Sequence, residues 1–426
     1  MQVSVVGAGI TGCVTAYLLC KKGFGVTIHE SSDNIGGTLR DVEYENQVFF
    51  NACQYLNASA QWIHDLRRDN HLSLMTFDHI YGSTTETEDQ KTICTDYAGP
   101  SIVPTNIENF VDQIKEKKTS DSPCMQSRFE RYPEEVSSFL KNWFGYHNHD
   151  LNQLHESAAT ATQCSRIYAQ GHDGYVVDEK RKNHHVDELI AVPRSQWIPD
   201  EQQLCDCLPT HGFNVFFKEM KEILISEGCT IRLSSPVKAR CENKSVSITT
   251  RSEAIKTDLV VWTSNPAPLI LNAGLGKLDT PVWNAKVYFY EMQTEKVIAP
   301  CYIQVFSALS PISRVFVYNL GNKNKITVEV IATNDNSEMS GDAILHKTKE
   351  ILQQYNYCDS IVPCGSEQQN RYVFYTTEDF IRFQKFDKMY GLGQGNLIAG
   401  AWTEYGRDQK IIEISHRISS WMENQH

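Results

Sequence analysis

Residues 2–30, QVSVVGAGITGCVTAYLLCKKGFGVTIHE, decide the fold of this 426-residue chain. A mostly β-branched run, residues 3–6, reads as a strand buried on both faces of a parallel sheet. It runs into Gly7-Ala8-Gly9-Ile10-Thr11-Gly12 and then into apolar positions at helical spacing, and Gly23 closes that helix. Gly25-Val26-Thr27-Ile28 opens a second strand that stops at Glu30, eighteen residues after Gly12. Strand, glycines, helix, strand and terminal acid in this register define a βαβ dinucleotide unit. Gly7 permits the tight turn, Gly9 lets backbone approach a pyrophosphate, and Gly12 lets helix pack on strand. The helix start at Ile10 and Thr11 offers free N–H groups to the phosphates, and Glu30 is placed to accept from a ribose.

Working outward, composition sets the bounds. The length suits two or three domains, and 41% hydrophobic with 22% charged residues is ordinary for a globular chain. No run of about 18 apolar residues occurs, so no transmembrane helix is expected. The sequence enters directly on a buried strand with no basic n-region or cleavable apolar segment, which predicts a cytoplasmic protein. Its 13 cysteines are scattered and odd in number, and read as reduced thiols. The net charge of −12 argues against nucleic acid as a partner, and an anionic small substrate then requires local arginines. Histidines at 147, 149, 155, 172, 184 and 185 match no metal-ligand spacing, so no metal is expected.

The residues after the acid choose the nucleotide. Ser31-Ser32-Asp33-Asn34-Ile35-Gly36-Gly37-Thr38-Leu39-Arg40 resembles the FAD-binding flavoproteins that include amine oxidases and UDP-galactopyranose mutase. Those proteins carry a second Gly-Gly where backbone passes close to the FAD. Residues 230–237, ending in Val237, resemble the strand whose valine meets the adenine. Residues 396–402, containing Gly400, resemble the last strand, which leads to a helix pointing at the flavin. A glutamate at position 30 also suits an unphosphorylated ribose. FAD is therefore the expected cofactor. The resemblance places Gly7, Gly9, Ile10, Thr11, Gly12, Glu30, Gly36, Gly37, Thr38, Arg40, Val237, Gly400, Asp408 and Gln409 against it.

The expected fold class is α/β, with a discontinuous Rossmann-like FAD-binding domain (1–75, 205–270 and 385–426). It carries a mainly helical insertion (76–204) and an antiparallel β-sheet domain (271–384). Residues 42–57 read as strands turning back toward the flavin, followed by an amphipathic helix with Trp62, Ile63 and Leu66. Residues 84–90, polar and acidic, read as an exposed loop. Residues 107–155 have a helical pattern, and residues 213–227 form a helix capped by Gly228. Residues 282–331, rich in aromatic and β-branched types, read as the sheet that walls the flavin. Trp283, Tyr288, Tyr290, Tyr302, Phe316 and Tyr318 are its candidate lining. Residues 344–355 and 409–423 read as amphipathic helices.

The whole chain aligns in order with the mutase pattern, which implies interconversion of pyranose and furanose forms of a nucleotide sugar through reduced flavin. NAD(P)H is a candidate external reductant, and the chain is a candidate homo-oligomer. Such a site needs arginines that hold a diphosphate bidentately. The candidates are Arg194 in Ala191-Val192-Pro193-Arg194, Arg314 in Ile312-Ser313-Arg314-Val315-Phe316, and Tyr405 with Arg407 in Trp402-Thr403-Glu404-Tyr405-Gly406-Arg407-Asp408. The chain departs from the mutases at two places. Residues 49–56, FFNACQYL, lack the two histidines that the family carries beside the flavin, and Val282-Trp283-Asn284-Ala285 lacks its arginine. The rival reading is an FAD-dependent oxidoreductase of the amine-oxidase type acting on a small molecule in an aromatic-lined site. A third reading is a flavoprotein that holds FAD without turnover.

Overall fold

Five parallel strands, in the order Thr230–Arg232, Gly25–His29, Gln2–Val6, Leu259–Trp262, Leu397–Ile398, form the sheet on which the rest is mounted. The computed structural model describes residues 1–70, 72–78, 80–87, 90–117, 122–145, 150–193, 205–242, 245–251, 253–294, 296–331, 339–357, 360–390, 395–400, 402 and 406–424. The central strand is buried from Val3 onward because both faces are covered. The helix Ile10–Lys21 follows it at once and packs against the final helix, Arg407–Glu423, and against Phe213–Ser226. Gly23, at φ +85°, closes the first helix: its N–H donates to Cys20 O at 2.8 Å and the Phe24 N–H to Leu19 O at 3.2 Å. Both the first and the last helix begin at the carboxyl edge of the parallel sheet, where such folds place ligands.

A seven-stranded sheet stands beside this unit, in the order Ile361–Val373, Val282–Met292, Lys323–Ile331, Ile312–Leu320, Cys301–Ser307, Ile80–Glu86, Lys91–Cys94. Side chains alternate across its strands, so each strand feeds two cores. Tyr302, Phe316, Tyr318 and Leu320 join the core of the dinucleotide unit, whereas Ile303, Val305, Val315 and Val317 pack with Ile344, Ile351 and Leu352. Those last three belong to the helix Gly341–Gln354 on the far side. Tyr288 and Tyr290 also lie in the far core, so only part of the expected aromatic lining faces the nucleotide unit. The helices Ile107–Glu116, Met125–Phe129, Glu134–Gly145, Ser157–Ala161, Asp173–Lys182 and His184–Leu189 enclose a third core around Trp143 and Tyr132.

Two expectations need correction. Residues 84–86 are not an exposed loop. Thr84 and Thr85 are buried in the strand Ile80–Glu86, which pairs in parallel with Cys301–Ser307. Their β-branched side chains suit a pleated interior, and the Thr85 hydroxyl is satisfied by accepting from Ser101 N–H at 2.9 Å. It follows that the start of the stretch read as a helical insertion, Ile80–Glu86 and Lys91–Cys94, belongs to the large sheet, whose one parallel joint it makes. No helix among the described residues is long and apolar enough to cross a membrane.

Candidate functional site

The turn after the first strand is pinned to both neighbouring strands. Gly7, at φ +100°, donates its N–H to His29 O at 2.9 Å, which ties the turn to the second strand. Thr263 Oγ1 donates to Val6 O at 3.0 Å and Gly7 O at 3.2 Å, tying it to the fourth. A Cβ at Gly12 would collide with the Gly7 carbonyl oxygen, so only glycine lets this helix sit so close to the strand. Gly9 is the N-cap of the helix, no side chain caps it, and no acid stands in the first turn. A Cβ built on Gly9 meets nothing within 4 Å. The helix therefore presents uncapped N–H groups at Ile10, Thr11 and Gly12 beside open space, the arrangement that receives a phosphate.

The second Gly-Gly closes the other wall of this cradle. Gly36, at φ +121°, donates to Ala8 O at 2.8 Å and pairs with Gly9 in an isolated parallel bridge. A Cβ at Gly37 would lie 3.1 Å from Gly9 Cα. Glu30 sits at the end of the second strand and accepts from Ala8 N–H at 2.6 Å, Ser32 N–H at 2.9 Å and Ser32 Oγ at 2.8 Å. Burial works to raise its pKa, but hydrogen bonds from Ser32, Ala8 and Ser31 outweigh it and hold the carboxyl below the ordinary glutamate value. The acid is thus anionic and aimed at the cradle. Val237, half-buried, lies beyond the strand Thr230–Arg232, whose turn is clamped to the acid by Ser235 N–H donating to Glu30 O at 2.7 Å.

The remaining expected residues fall into two groups. Thr38 and Arg40 continue from the cradle: Thr38 O accepts from Gln54 Nε2 at 3.5 Å, and Arg40 O from Asn51 N–H at 3.1 Å. The Arg40 side chain itself is exposed and pairs with Glu367 at 3.0 Å. At the last helix, Asp408 accepts from Trp62 Nε1 at 2.8 Å and Arg407 donates to Tyr55 O at 2.8 Å, both toward residues 51–62. Gln409 is exposed. Gly400, at φ +113°, is covered by Arg417, whose guanidinium donates to Ala399 O. The tight approach at that glycine is therefore made by the chain itself.

Arg314 is engaged by its own sheet and by the end of the helix Ser157–Ala161. Its Nε donates to Gln304 Oε1 at 3.0 Å and its Nη2 to Ala161 O at 3.1 Å. The fully buried Glu329 carboxylate stands 3.8 Å away, and the guanidinium lies over the Tyr302 ring at 5.8 Å. This geometry neutralises a buried acid rather than presenting a fork to solvent. Arg194 and Tyr405 lie outside the described residues. Three tyrosines meet where the sheet faces the nucleotide unit: Tyr55 and Tyr81 at 5.8 Å, Tyr55 and Tyr302 at 5.9 Å, Tyr81 and Tyr302 at 6.3 Å, all edge-on. Tyr81 donates to the buried carboxylate of Asp206 at 2.6 Å. Neither Ser31 and Ser32, which fix Glu30, nor Asn51 and Gln54 stand out as site residues in the sequence. The only signal for the serines is their place directly after the acid.

Comparison with known proteins agrees with this architecture. Residues 5–77 match the model of an NAD(P)-binding Rossmann-like domain, which names the class of the nucleotide unit. Three solved structures share the whole fold. A reduced UDP-galactopyranose mutase superposes with TM-score 0.65 at 13% identity over 98% of this chain and 95% of its own. Putrescine oxidase bound to putrescine gives 0.62 at 13% identity, with 99% of each chain covered. A protein of Pyrococcus furiosus gives 0.55 at 12% identity over 99% of this chain and 98% of its own. No curated protein matches the sequence. At these identities the likeness is one of fold.

Proposed function

We propose that this chain is an FAD-dependent enzyme. The observation that carries the proposal is the cradle of Gly9, Gly36 and Gly37 at an uncapped helix start, with an anionic Glu30 beside it. A double-glycine wall beyond the ribose acid suits a dinucleotide that continues toward the large sheet. The face of the large sheet that carries Tyr302, Phe316 and Tyr318 packs into the core of the nucleotide unit, and we propose that the cofactor's reactive end lies on that side. Bound there, FAD would supply electrons or nucleophilic character, and the chain would bind, orient and exclude water. Gly9, Ile10, Thr11 and Gly12 would hold the pyrophosphate and Glu30 the ribose, with Thr38, Arg40, Val237, Gly400, Asp408 and Gln409 around it. The proposed division is a nucleotide unit of 1–75, 205–270 and 385–426 around two inserted parts.

Within that class we assign a sugar-nucleotide mutase working on reduced flavin as the first reading. It is supported by the end-to-end likeness to the mutase fold, with Arg194, Arg407 and Tyr405 proposed to hold the diphosphate. Two observations favour the second reading, an amine-oxidase-type oxidoreductase. Arg314 is held by Gln304, Ala161 and Glu329, and Tyr55, Tyr81 and Tyr302 cluster edge-on, with Tyr81 donating to Asp206. The deciding experiment is anaerobic. The protein is reduced with dithionite and given UDP-, GDP- and TDP-sugars, and ring isomers are followed by NMR. Interconversion that stops on reoxidation supports the mutase. No isomer, together with flavin reduced by a small amine or alcohol, moves the chain to the oxidoreductases.

A further inference from the structure

Residues 49–57 carry two buried acceptors that meet no donor among the described residues. Asn51 and Gln54 are 3% and 5% exposed, and neither Asn51 Oδ1 nor Gln54 Oε1 has a hydrogen-bond partner among the described residues. Looseness of the segment does not explain them, because it is fastened on every side. The Phe50 N–H donates to Tyr318 Oη at 2.9 Å, and Thr327 Oγ1 to Phe50 O at 3.1 Å. Asn51 N–H donates to Arg40 O at 3.1 Å, and Gln369 Nε2 to Asn51 O at 3.0 Å. The Cys53 N–H donates to Glu329 Oε1 at 2.9 Å. A held segment with orphaned buried acceptors is unfavourable, since each costs about 1–3 kcal/mol until a donor arrives.

Their place says which donor. Gln54 touches Thr38 O, the residue after Gly37, and Gly37 abuts Gly9 at the phosphate cradle. On the other side Phe50 stacks on Tyr318 at 4.4 Å, on the sheet face that looks toward the nucleotide unit. The two acceptors thus lie between the cradle and the aromatic face. A nucleoside diphosphate ends at the cradle. The half of FAD that continues past it brings ribityl hydroxyls and a ring N–H, all donors. We infer that Asn51 and Gln54 are the acceptors for the ribityl–isoalloxazine half of the cofactor, standing in a segment where this chain lacks the family's histidines. The inference rests on the FAD reading above.

Two substitutions test it, Asn51→Leu and Gln54→Met, each titrated by calorimetry with FAD and, separately, with ADP, and each melted without ligand. FAD affinity is expected to fall about tenfold in each, the value of one lost hydrogen bond in a dry site. ADP affinity should be unchanged. The ligand-free Tm should hold or rise, because an unsatisfied acceptor has been removed. Unchanged FAD affinity overturns the inference, as does an equal loss of FAD and ADP or a fall in the ligand-free Tm. Wild-type protein that binds neither FAD nor ADP overturns the FAD reading itself.

Discussion

Gly9→Val separates a glycine kept for a ligand from a glycine kept for the fold. Gly9 has φ −67° and ψ 175°, an extended conformation open to any residue, and its Cβ direction is empty to 4 Å. A Cβ there meets no neighbour and valine removes unfolded-state freedom, so ligand-free stability should hold or rise by up to about 1 kcal/mol. The added methyls fill the space in front of the uncapped helix start. A pyrophosphate shifted out of reach loses two charge-assisted hydrogen bonds at about 1.5–3 kcal/mol each, roughly 3–6 kcal/mol together. That is about 10²- to 10⁴-fold in affinity, enough to lose the flavin on purification. The assay pairs visible absorbance of the purified protein with thermal melting. Flavin retained at full stoichiometry with an unchanged Kd would refute the placement of the pyrophosphate. A collapse of the ligand-free melt would refute the claim of free space.

Other outcomes follow from the same geometry. Arg314→Met should cost about 3–5 kcal/mol in chemical denaturation, because the buried Glu329 carboxylate loses the guanidinium 3.8 Å from it, and Glu329→Gln added to it should recover part of the loss. If the single variant is neutral, the buried pair is wrong. Burial pushes the Asp41 carboxyl up to about 6 despite its bonds from Phe213 N–H at 2.9 Å and Asn214 N–H at 2.8 Å. The native state therefore holds a proton that the unfolded chain releases, and its stability should fall as pH rises from about 4 to 6, by at most about 3 kcal/mol. Asp41→Asn should flatten that slope, which paired denaturation curves across the window measure. Arg194→Ala should weaken binding of a nucleoside diphosphate sugar and leave flavin content intact; equal affinity by calorimetry would remove Arg194 from the site.

The nucleotide unit was legible because its signals are local. Val3–Val6, the glycines, Gly23 and Glu30 are adjacent in sequence, and each states its backbone role without help from distant residues. The last helix and the helix Gly341–Gln354 were legible for the same reason, through apolar spacing. What could not be read depends on partners far along the chain. Thr84 and Thr85 look like a polar loop until Cys301–Ser307 lies beside them in parallel. Tyr288 and Tyr302 both stand in the run read as one aromatic-lined sheet, yet the fold sends one to each core. Arg314 reads as a free cation, and only folding brings Glu329 and Gln304 to it. That the oxygens of Asn51 and Gln54 meet no donor among the described residues is also a tertiary fact, visible only once the chain has folded around them.

The cradle is proposed to take FAD rather than a nicotinamide dinucleotide, although the matching family model describes an NAD(P)-binding domain. The direct measurement is a set of equilibrium titrations of the ligand-free protein with FAD, NAD and NADP, followed by calorimetry and flavin fluorescence. One FAD should bind per chain, with NAD and NADP weaker by at least about a hundredfold. Saturable binding of NAD or NADP with no binding of FAD would contradict it.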